Sequence, residues 1–406
     1  MPQTTAGEYR ATAPADAAAR PLRVVYLSDS PVRTDGAAGV HVLATTRHMH
    51  RQGVEVVLVV PRGEEAVEEP FEVRQLALPG AVTSFFYQAA LLARLPRLLR
   101  AGRVDAVYAR QSAYLFVPGL LCRAMRVPFV TEVNGTNHEE VAGSARSALA
   151  RALWRAANPG AVLERISYGC AARIVTVTPG LAGYLRGKFP SAADKVVVVP
   201  NGVDVGTFCA EGCTGGSRPG ARVGYVGGLT AWQGLEFVVR AWPAVRDEVP
   251  DAELVLVGGG EQEQELRRLA ADLGVDASVR FVGPRPHEEV PELLRSFDVG
   301  VAYYVRDRSG LHSSFKVLEY LAAGVPVVAS DNEDVLDAFG GAVATVPAED
   351  SEALAVELAG LLLDAGRRGE LAARGRELVR EAYSWEACTR RVLAEVRTAL
   401  GARARR

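Results

Sequence analysis

Short unbroken apolar runs alternate along this chain with longer stretches in which apolar positions return at helical spacing. In the first half the runs are LRVVYLS (22–28), VEVVLVVP (54–61), DAVYA (105–109), PFVTEV (128–133), IVTVT (174–178) and VVVVP (196–200). Such runs, lacking in/out alternation, predict strands buried on both faces. Enough chain separates them for crossover helices: one ends near Gln52-Gly53, one spans 84–101 and one runs to about 125. The alternation predicts an α/β architecture, a doubly wound parallel sheet covered on both sides.

The pattern starts again beyond the Gly/Ser/Pro-rich CAEGCTGGSRPG (209–220). ARVGYVG (221–227), AELVLVG (252–258), SVRFVG (278–283), DVGVAY (298–303) and VPVVAS (325–330) follow, with helical stretches between them. From Ser384 to about Leu400 an amphipathic helix closes the chain. The expected division is a loose tail (1–20), a Rossmann-like domain (21–200), a second Rossmann-like domain (201–383) and the closing helix (384–406). A chain of 406 residues is too long for one ordinary core. Two such domains in tandem imply a central cleft, with ligands outside the carboxyl ends of the strands.

A net charge of −2 supplies no single-signed surface for nucleic acid. The cysteines, at 122, 170, 209, 213 and 388, are odd in number and scattered, so they read as reduced thiols rather than a disulfide framework or a zinc site. The first twenty residues lack the cationic start and apolar centre of a signal peptide. No window approaches about 18 uninterrupted apolar residues, so a cytoplasmic location is expected. SFFYQAALLARLPRLLRAGR (84–103) mixes bulky apolar residues with four arginines. It reads either as a helix in weak peripheral contact with anionic lipid or as a structural helix with solvated arginines; Pro96 interrupts it, and the second reading is preferred.

Candidate chemistry concentrates in SGLHSSFKVLEYLAAGVPVVAS (309–330). Lys316 and Glu319 are three apart and share a helix face. Ser313 and Ser314 supply N-cap chemistry that sets Lys316 near the positive end of that helix. Gly324 and Pro326 stop it. A diphosphate on the cation and a hydroxylated ring on the carboxylate suit the arrangement; an exposed ion pair is the plain alternative. Glycine loops also leave three strands, in VGGLTAWQG (226–234), VGGGEQEQEL (257–266) and VGPRP (282–286), where bare amides can approach phosphate. Neither G-x-G-x-x-G nor a Walker pattern is present, which argues against dinucleotide and P-loop chemistry.

Together, PNGVD (200–204), GGLTAWQGLEFVVRAW (227–242), the triple glycine and FKVLEYLAAGVPVVA (315–329) carry a family resemblance. With RVVYLSDSP, EVNG (132–135) and YSWEACTRRVL (383–393), they make the chain from Leu22 to Leu400 similar to the family 4 retaining glycosyltransferases, which have the GT-B fold. The resemblance implies an enzyme with no cofactor and no metal, using a nucleoside-diphosphate sugar, UDP-linked, as co-substrate. The expected reaction moves a glucosyl or N-acetylglucosaminyl group to a hydroxyl of a small acceptor such as an aminocyclitol or other secondary metabolite. A polysaccharide or lipid-linked acceptor, a GT-B epimerase or pseudo-glycosyltransferase, and a non-catalytic nucleotide-sugar-binding protein are the alternatives. Oligomeric state is not specified.

Carried over residue by residue, the resemblance sets Glu319 on the ribose, the backbone of Ser314 and Phe315 on the diphosphate, and Arg285 by the base. Gly228, Gln233 and Gly259 complete the donor side, with Gly36 and Gly39 facing it in the loop after the first strand. Two departures stand out. The family's usual Arg and Lys of the first glycine loop are Gly228 and Gln233 here, and the carboxylate eight before Glu319 is Leu311, with His312 beside it. A charge-assisted hydrogen bond is worth about 1.5–3 kcal/mol, so the missing cations need a substitute. Lys316 is the leading one, with Arg306 and Arg308 in reserve. The catalytic expectation is Lys316, Glu319 and His138. His41, Arg110, Glu132, Asn134 and His138 are expected toward the acceptor, each with a structural role as an equal alternative. Retention in such enzymes is explained by front-face attack, in which the departing phosphate helps take the acceptor proton.

Overall fold

The computed structural model describes residues 20–32, 37–63, 66–79, 83–111, 115–135, 159–208, 221–306 and 315–404. In the first lobe β1 (Arg23–Leu27), β2 (Glu55–Pro61), β3 (Glu72–Leu76), β4 (Ala106–Gln111), β5 (Phe129–Val133), β6 (Arg173–Thr176) and β7 (Val196–Val198) form one sheet. Its order is β3-β2-β1-β4-β5-β6-β7, and every pairing is parallel. In the second lobe β8 (Arg222–Val226), β9 (Glu253–Val257), β10 (Val279–Gly283), β11 (Val299–Ala302), β12 (Val327–Ser330) and β13 (Ala344–Val346) follow the order β10-β9-β8-β11-β12-β13. These pairings are parallel too. Strand order reverses between β1 and β4 in one sheet and between β8 and β11 in the other, and these reversal points are where open parallel sheets receive ligands.

Apolar clusters cover both faces of each sheet, as the unbroken runs require. The closing helix, Trp385–Ala404, crosses back to the first lobe, where Val392, Leu393 and Val396 join the core against the helix Ala37–Arg51. The chain thus passes between lobes twice, and the two passages are tied together. Val203 N–H donates to Tyr383 O at 2.9 Å and Trp385 N–H to Val203 O at 3.2 Å. Gly202 permits this approach, since a Cβ there would stand 2.7 Å from Trp385 Cα.

Several expectations need correction. Two edge strands, β3 and β13, were not foreseen. β3 (EVRQL) carries charges on its exposed positions, and β13 has three residues, so neither shows an apolar run. Gly39 lies in the first turn of the helix Ala37–Arg51 rather than in the preceding loop. Pro96 does not interrupt its helix, which runs Thr83–Ala101. The carbonyl that Pro96 deprives of a partner is that of Leu92, on the solvent side, where water can satisfy it. No helix among the described residues is long and apolar enough to cross a membrane.

Candidate active site

At the β8/β11 reversal point three glycine loops lace together. Gly227 N–H donates to Val257 O at 2.9 Å, Leu229 N–H to Gly259 O at 3.0 Å and Gly258 N–H to Gly283 O at 3.0 Å. Gly258 has a φ of 138°, and a Cβ on it would stand 1.8 Å from Gly227 O. Several of the amides expected to face phosphate therefore hold the loops to each other. What the lacing leaves at the rim is Gly228, exposed, and the short 3-10 turn Ala231–Gln233.

Opposite that turn stands the helix Phe315–Ala323. Its FKVLEYLAA sequence is rich in good helix formers, and it buries Val317, Leu318 and Tyr320–Ala323. It ends in a Schellman motif: Gly324 takes a φ of 73°, its N–H reaches Leu321 O at 3.1 Å, and Val325 N–H reaches Tyr320 O at 2.9 Å. Lys316 leaves the first turn of this helix, and its ammonium donates to Gln233 Oε1 at 2.5 Å and to the Tyr225 hydroxyl at 3.0 Å. It also lies over the Tyr225 ring, 4.1 Å from the centroid, and 5.4 Å from that of Tyr304. Tyr304 in turn runs parallel to Trp232, with centroids 6.0 Å apart. The Tyr225 hydroxyl donates onward to Gly228 O at 2.8 Å, which couples the cation to the glycine loop.

Burial lowers the pKa of Lys316 to about 7, with Glu319 opposing the shift. Burial likewise raises Glu319 to about 7, offset in part by Lys316. The pair therefore stands between its charged and neutral forms near neutrality. Arg285, in the turn after β10, is exposed and 3.8 Å from Glu289. The Arg306 guanidinium donates to Ala348 O at 3.0 Å. Gly259 packs beside Pro284.

In the first lobe His41, Arg110, Glu132 and Asn134 lie near the carboxyl ends of β1, β4 and β5, with Glu132 and His41 below the surface. Glu132 is 2% exposed and His41 5%. His41 Nε2 is 2.7 Å from Glu132 Oε1, within ion-pair reach although off the hydrogen-bond direction. Tyr108 donates to Oε2 at 2.5 Å and Asn134 to Oε1 at 2.6 Å. Burial alone pushes the Glu132 carboxyl up, yet His41, Tyr108 and Asn134 outweigh it and bring the pKa to about 2. His41 meets the Trp385 ring edge-on at 5.2 Å, so the closing helix covers it. Beneath lies a cavity with room for about one water molecule, lined by His41, Glu132, Asn201, Trp385 and Thr389. Arg110 stands in register with Glu132 and is half-buried. Gly36, His138, Arg308, His312, Ser313 and Ser314 lie outside the described residues.

The aromatic partners Tyr225, Tyr304, Tyr108 and Trp385 were not singled out as site residues. Trp232 lay within a quoted motif without an assigned role; its place before Gln233 in the glycine loop was the available signal.

Two parallel-sheet Rossmann-like domains, each with its chemistry at the strand-order reversal, define the GT-B glycosyltransferase fold. The Anabaena HepE structure in complex with UDP superposes with a TM-score of 0.66 at 16% identity, over 93% of this chain and all of that one. Residues 38–207 match the family described as Glycosyltransferase Family 4, and residues 220–364 match Glycosyl transferases group 1. A Mycobacterium tuberculosis GDP-mannose-dependent alpha-(1-6)-phosphatidylinositol monomannoside mannosyltransferase is 30% identical over 72% of this chain and 76% of its own. The phosphatidyl-myo-inositol mannosyltransferase of Mycolicibacterium smegmatis is 32% identical over 53% of this chain, which spans about half of that relative, 55%. The chain belongs to the family 4 glycosyltransferases.

Proposed function

We propose that this protein is a retaining, metal-independent hexosyltransferase that moves a sugar from a UDP-linked donor to a hydroxyl of a small cyclitol-type acceptor. One observation carries the reading: Lys316 occupies the β8/β11 reversal point within 2.5 Å of Gln233, so a cation stands beside the loop that lacks its own. In the reaction the bond from the anomeric carbon to the β-phosphate oxygen breaks as the acceptor oxygen attaches, and the acceptor proton passes to the departing phosphate. Negative charge grows on the diphosphate, and Lys316 faces it. Glu319 binds the ribose hydroxyls, Phe315 presents its backbone N–H at the helix start, Gly228 and Gly259 allow close approach, and Arg285 borders the base. Gly39 belongs to the opposite wall. On the acceptor side, Glu132 holds Asn134 in place, and Arg110 stands beside it on β4.

A second reading follows from the relatives' names: a GDP-mannose donor and an inositol-lipid acceptor. The test is a thermal-shift screen of UDP-, GDP- and ADP-sugars, followed by transfer assays on free inositol, an aminocyclitol and phosphatidylinositol, with NMR of the product linkage. Stabilisation by UDP-sugars and a product with the donor's anomeric configuration, undiminished by EDTA, support the first reading. Stabilisation by GDP-mannose alone replaces it with the second. Donor isomerised without acceptor would identify an epimerase, and binding without turnover a non-catalytic protein.

A further inference from the structure

The first passage between the lobes and the closing helix meet the first lobe at one buried point, the cavity under Trp385. Its polar lining comes from four elements: His41 from the helix Ala37–Arg51, Glu132 from β5, Asn201 from the first passage, and Thr389 one turn into the closing helix. Three of these residues are incompletely bonded although nearly sealed from solvent, His41 being 5% exposed, Asn201 3% and Thr389 1%. Both ring nitrogens of His41, the Asn201 side-chain oxygen and the Thr389 hydroxyl have no hydrogen-bond partner among the described residues. Val175, Val177, Val199 and Val392 form much of the remaining wall and offer none. Elsewhere the core satisfies such groups: Thr46 donates to Val42 O at 2.7 Å, Ser167 to Leu115 O at 3.1 Å and Trp242 to Ser278 Oγ at 3.0 Å. A buried polar atom without a partner is costly, and here several gather around one small space.

We propose that this cavity is a binding site for one water molecule, which joins the closing helix to the first lobe and holds His41 against Glu132. Room and chemistry agree. The space admits about one water, and a buried water needs about two to four polar partners. Asn201 Oδ1 can only accept, the Thr389 hydroxyl donates or accepts, and the His41 ring offers a donor or an acceptor according to its tautomer. Water serves all three, since it both donates and accepts. A metal ion fits worse: the Glu132 carboxylate is already taken by Tyr108, Asn134 and His41, which leaves Asn201 as the one strong oxygen ligand where a hard cation needs about six. The placement gives the water a task. Val203, two positions after Asn201, and Trp385, four before Thr389, are bonded to each other where the two passages touch. A water between Asn201 and Thr389 extends that tie into the first lobe. At His41 it meets the pair that steadies Glu132 and, through it, Asn134, which the proposed function sets on the acceptor side. His41 Nε2 lies 2.7 Å from Glu132 Oε1 but off the hydrogen-bond direction, so a further partner is needed to fix the angle of the ring. Thr389 and Asn201 are thus positioning residues that act through His41.

A high-resolution crystal structure of the full chain, with imidazole nitrogen NMR in solution, tests it. The expected density is a single peak within hydrogen-bond distance of Thr389 Oγ1, Asn201 Oδ1 and a His41 ring nitrogen. Thr389→Val keeps the shape and removes the hydroxyl. It should lose or weaken the peak, shift the His41 ring signals and lower the melting temperature of the first lobe by about 2–4 °C. Thr389→Ser keeps the hydroxyl, so it should retain both the peak and the wild-type His41 signals, even where the lost methyl group costs stability. Those signals are assigned by replacing the other five of the six histidines one at a time. None of these readouts uses a nucleotide, so they stand apart from the donor-site reading. A cavity without density overturns the inference, as do His41 signals identical in all three proteins. A peak ringed by oxygens at about 2.4 Å would identify a cation and overturn it as well.

Discussion

Beside the β1/β4 reversal, on β5, Glu132 is buried with partners on both oxygens, and its pKa drops to about 2; at the β8/β11 reversal Lys316 and Glu319 are half-buried with too few partners, and both move to about 7. The two lobes thus place titratable groups at the same topological point and satisfy them differently. In the first lobe His41, Tyr108 and Asn134 complete the carboxylate within the fold, which makes it a brace. In the second the ammonium touches a neutral amide, a phenol and two ring faces, and the Glu319 carboxylate offsets its burial only in part. On the proposed reading, an arriving diphosphate supplies what is missing there. Burial marks both sites, but only the incompletely balanced one is suited to respond to a ligand.

Removing the cation is the sharpest way to break that contrast. Lys316→Met should lower kcat/KM by about 100- to 1000-fold, the range for losing one donor aimed at developing charge. UDP binding by calorimetry should weaken by about tenfold or more, because a charge-assisted contact is lost. The melting temperature should hold or rise, since a partly buried ammonium is replaced by a chain of similar length. If UDP affinity is unchanged, the cation does not meet the diphosphate.

Glu132→Gln should do the reverse, costing stability more than affinity. The folded pKa of Glu132 lies below its ordinary value of 4.5. Its stabilisation is therefore fully present above pH 4.5 and lost as pH falls toward 2, an upper bound of about 3 kcal/mol at 1.36 kcal/mol per unit. Urea midpoints measured from pH 6 to pH 2.5 should show a steeper decline in wild type than in the variant. Parallel declines would mean that Glu132 is no brace.

The uneven visibility of these two sites in the sequence has a physical origin. Strands such as VVLVV in β2 announce themselves because both faces are buried, whereas β3, with Glu72 and Arg74 turned outward, does not. Lys316 and Glu319 were visible because their relation is local, three positions on one helix. Their enclosure was not: Tyr225 reaches Lys316 across 91 positions of chain and Gln233 across 83. His41 and Glu132 carry polar types that suggest a surface, yet Glu132 sits on a strand buried throughout and Trp385 from the last helix packs against His41. No local spacing encodes that contact. The glycine loops misled in the opposite direction, since Gly258 is required by the neighbouring loop as much as by any phosphate.

Gln233 offers a sharper comparison within the second lobe. In the Lys316→Met background, Gln233→Lys should recover about tenfold of the lost kcat/KM, the worth of a charge-assisted hydrogen bond restored near the same position. In the wild-type background the same change should gain little, because two ammonium groups would compete for one space. Recovery in neither background would show that the position of Lys316, and not the charge alone, is what the reaction uses.

The smallest effect is a fraction of a proton, and it reports most directly on the imbalance between the lobes. With Lys316 lowered to about 7, the free protein at pH 8 holds this side chain mostly neutral, and a bound diphosphate favours its charged form. Binding of UDP at pH 8 should therefore take up as much as about one proton, seen as a binding enthalpy that differs between phosphate and Tris buffers by the difference in their ionisation enthalpies. At pH 6 Lys316 is already charged, so its uptake disappears, while Glu319, raised to about 7, releases a proton if the ribose hydroxyls hold it ionised. The sign of the linkage thus inverts between pH 8 and pH 6. Lys316→Met should abolish the uptake at pH 8 and leave the release at pH 6, and Glu132→Gln should change neither, because the carboxylate of the first lobe is ionised throughout that range. Buffer-independent enthalpies at pH 8 would mean that Lys316 is already fully charged before the nucleotide arrives, and the distinction drawn between the two reversal points would lose its electrostatic basis.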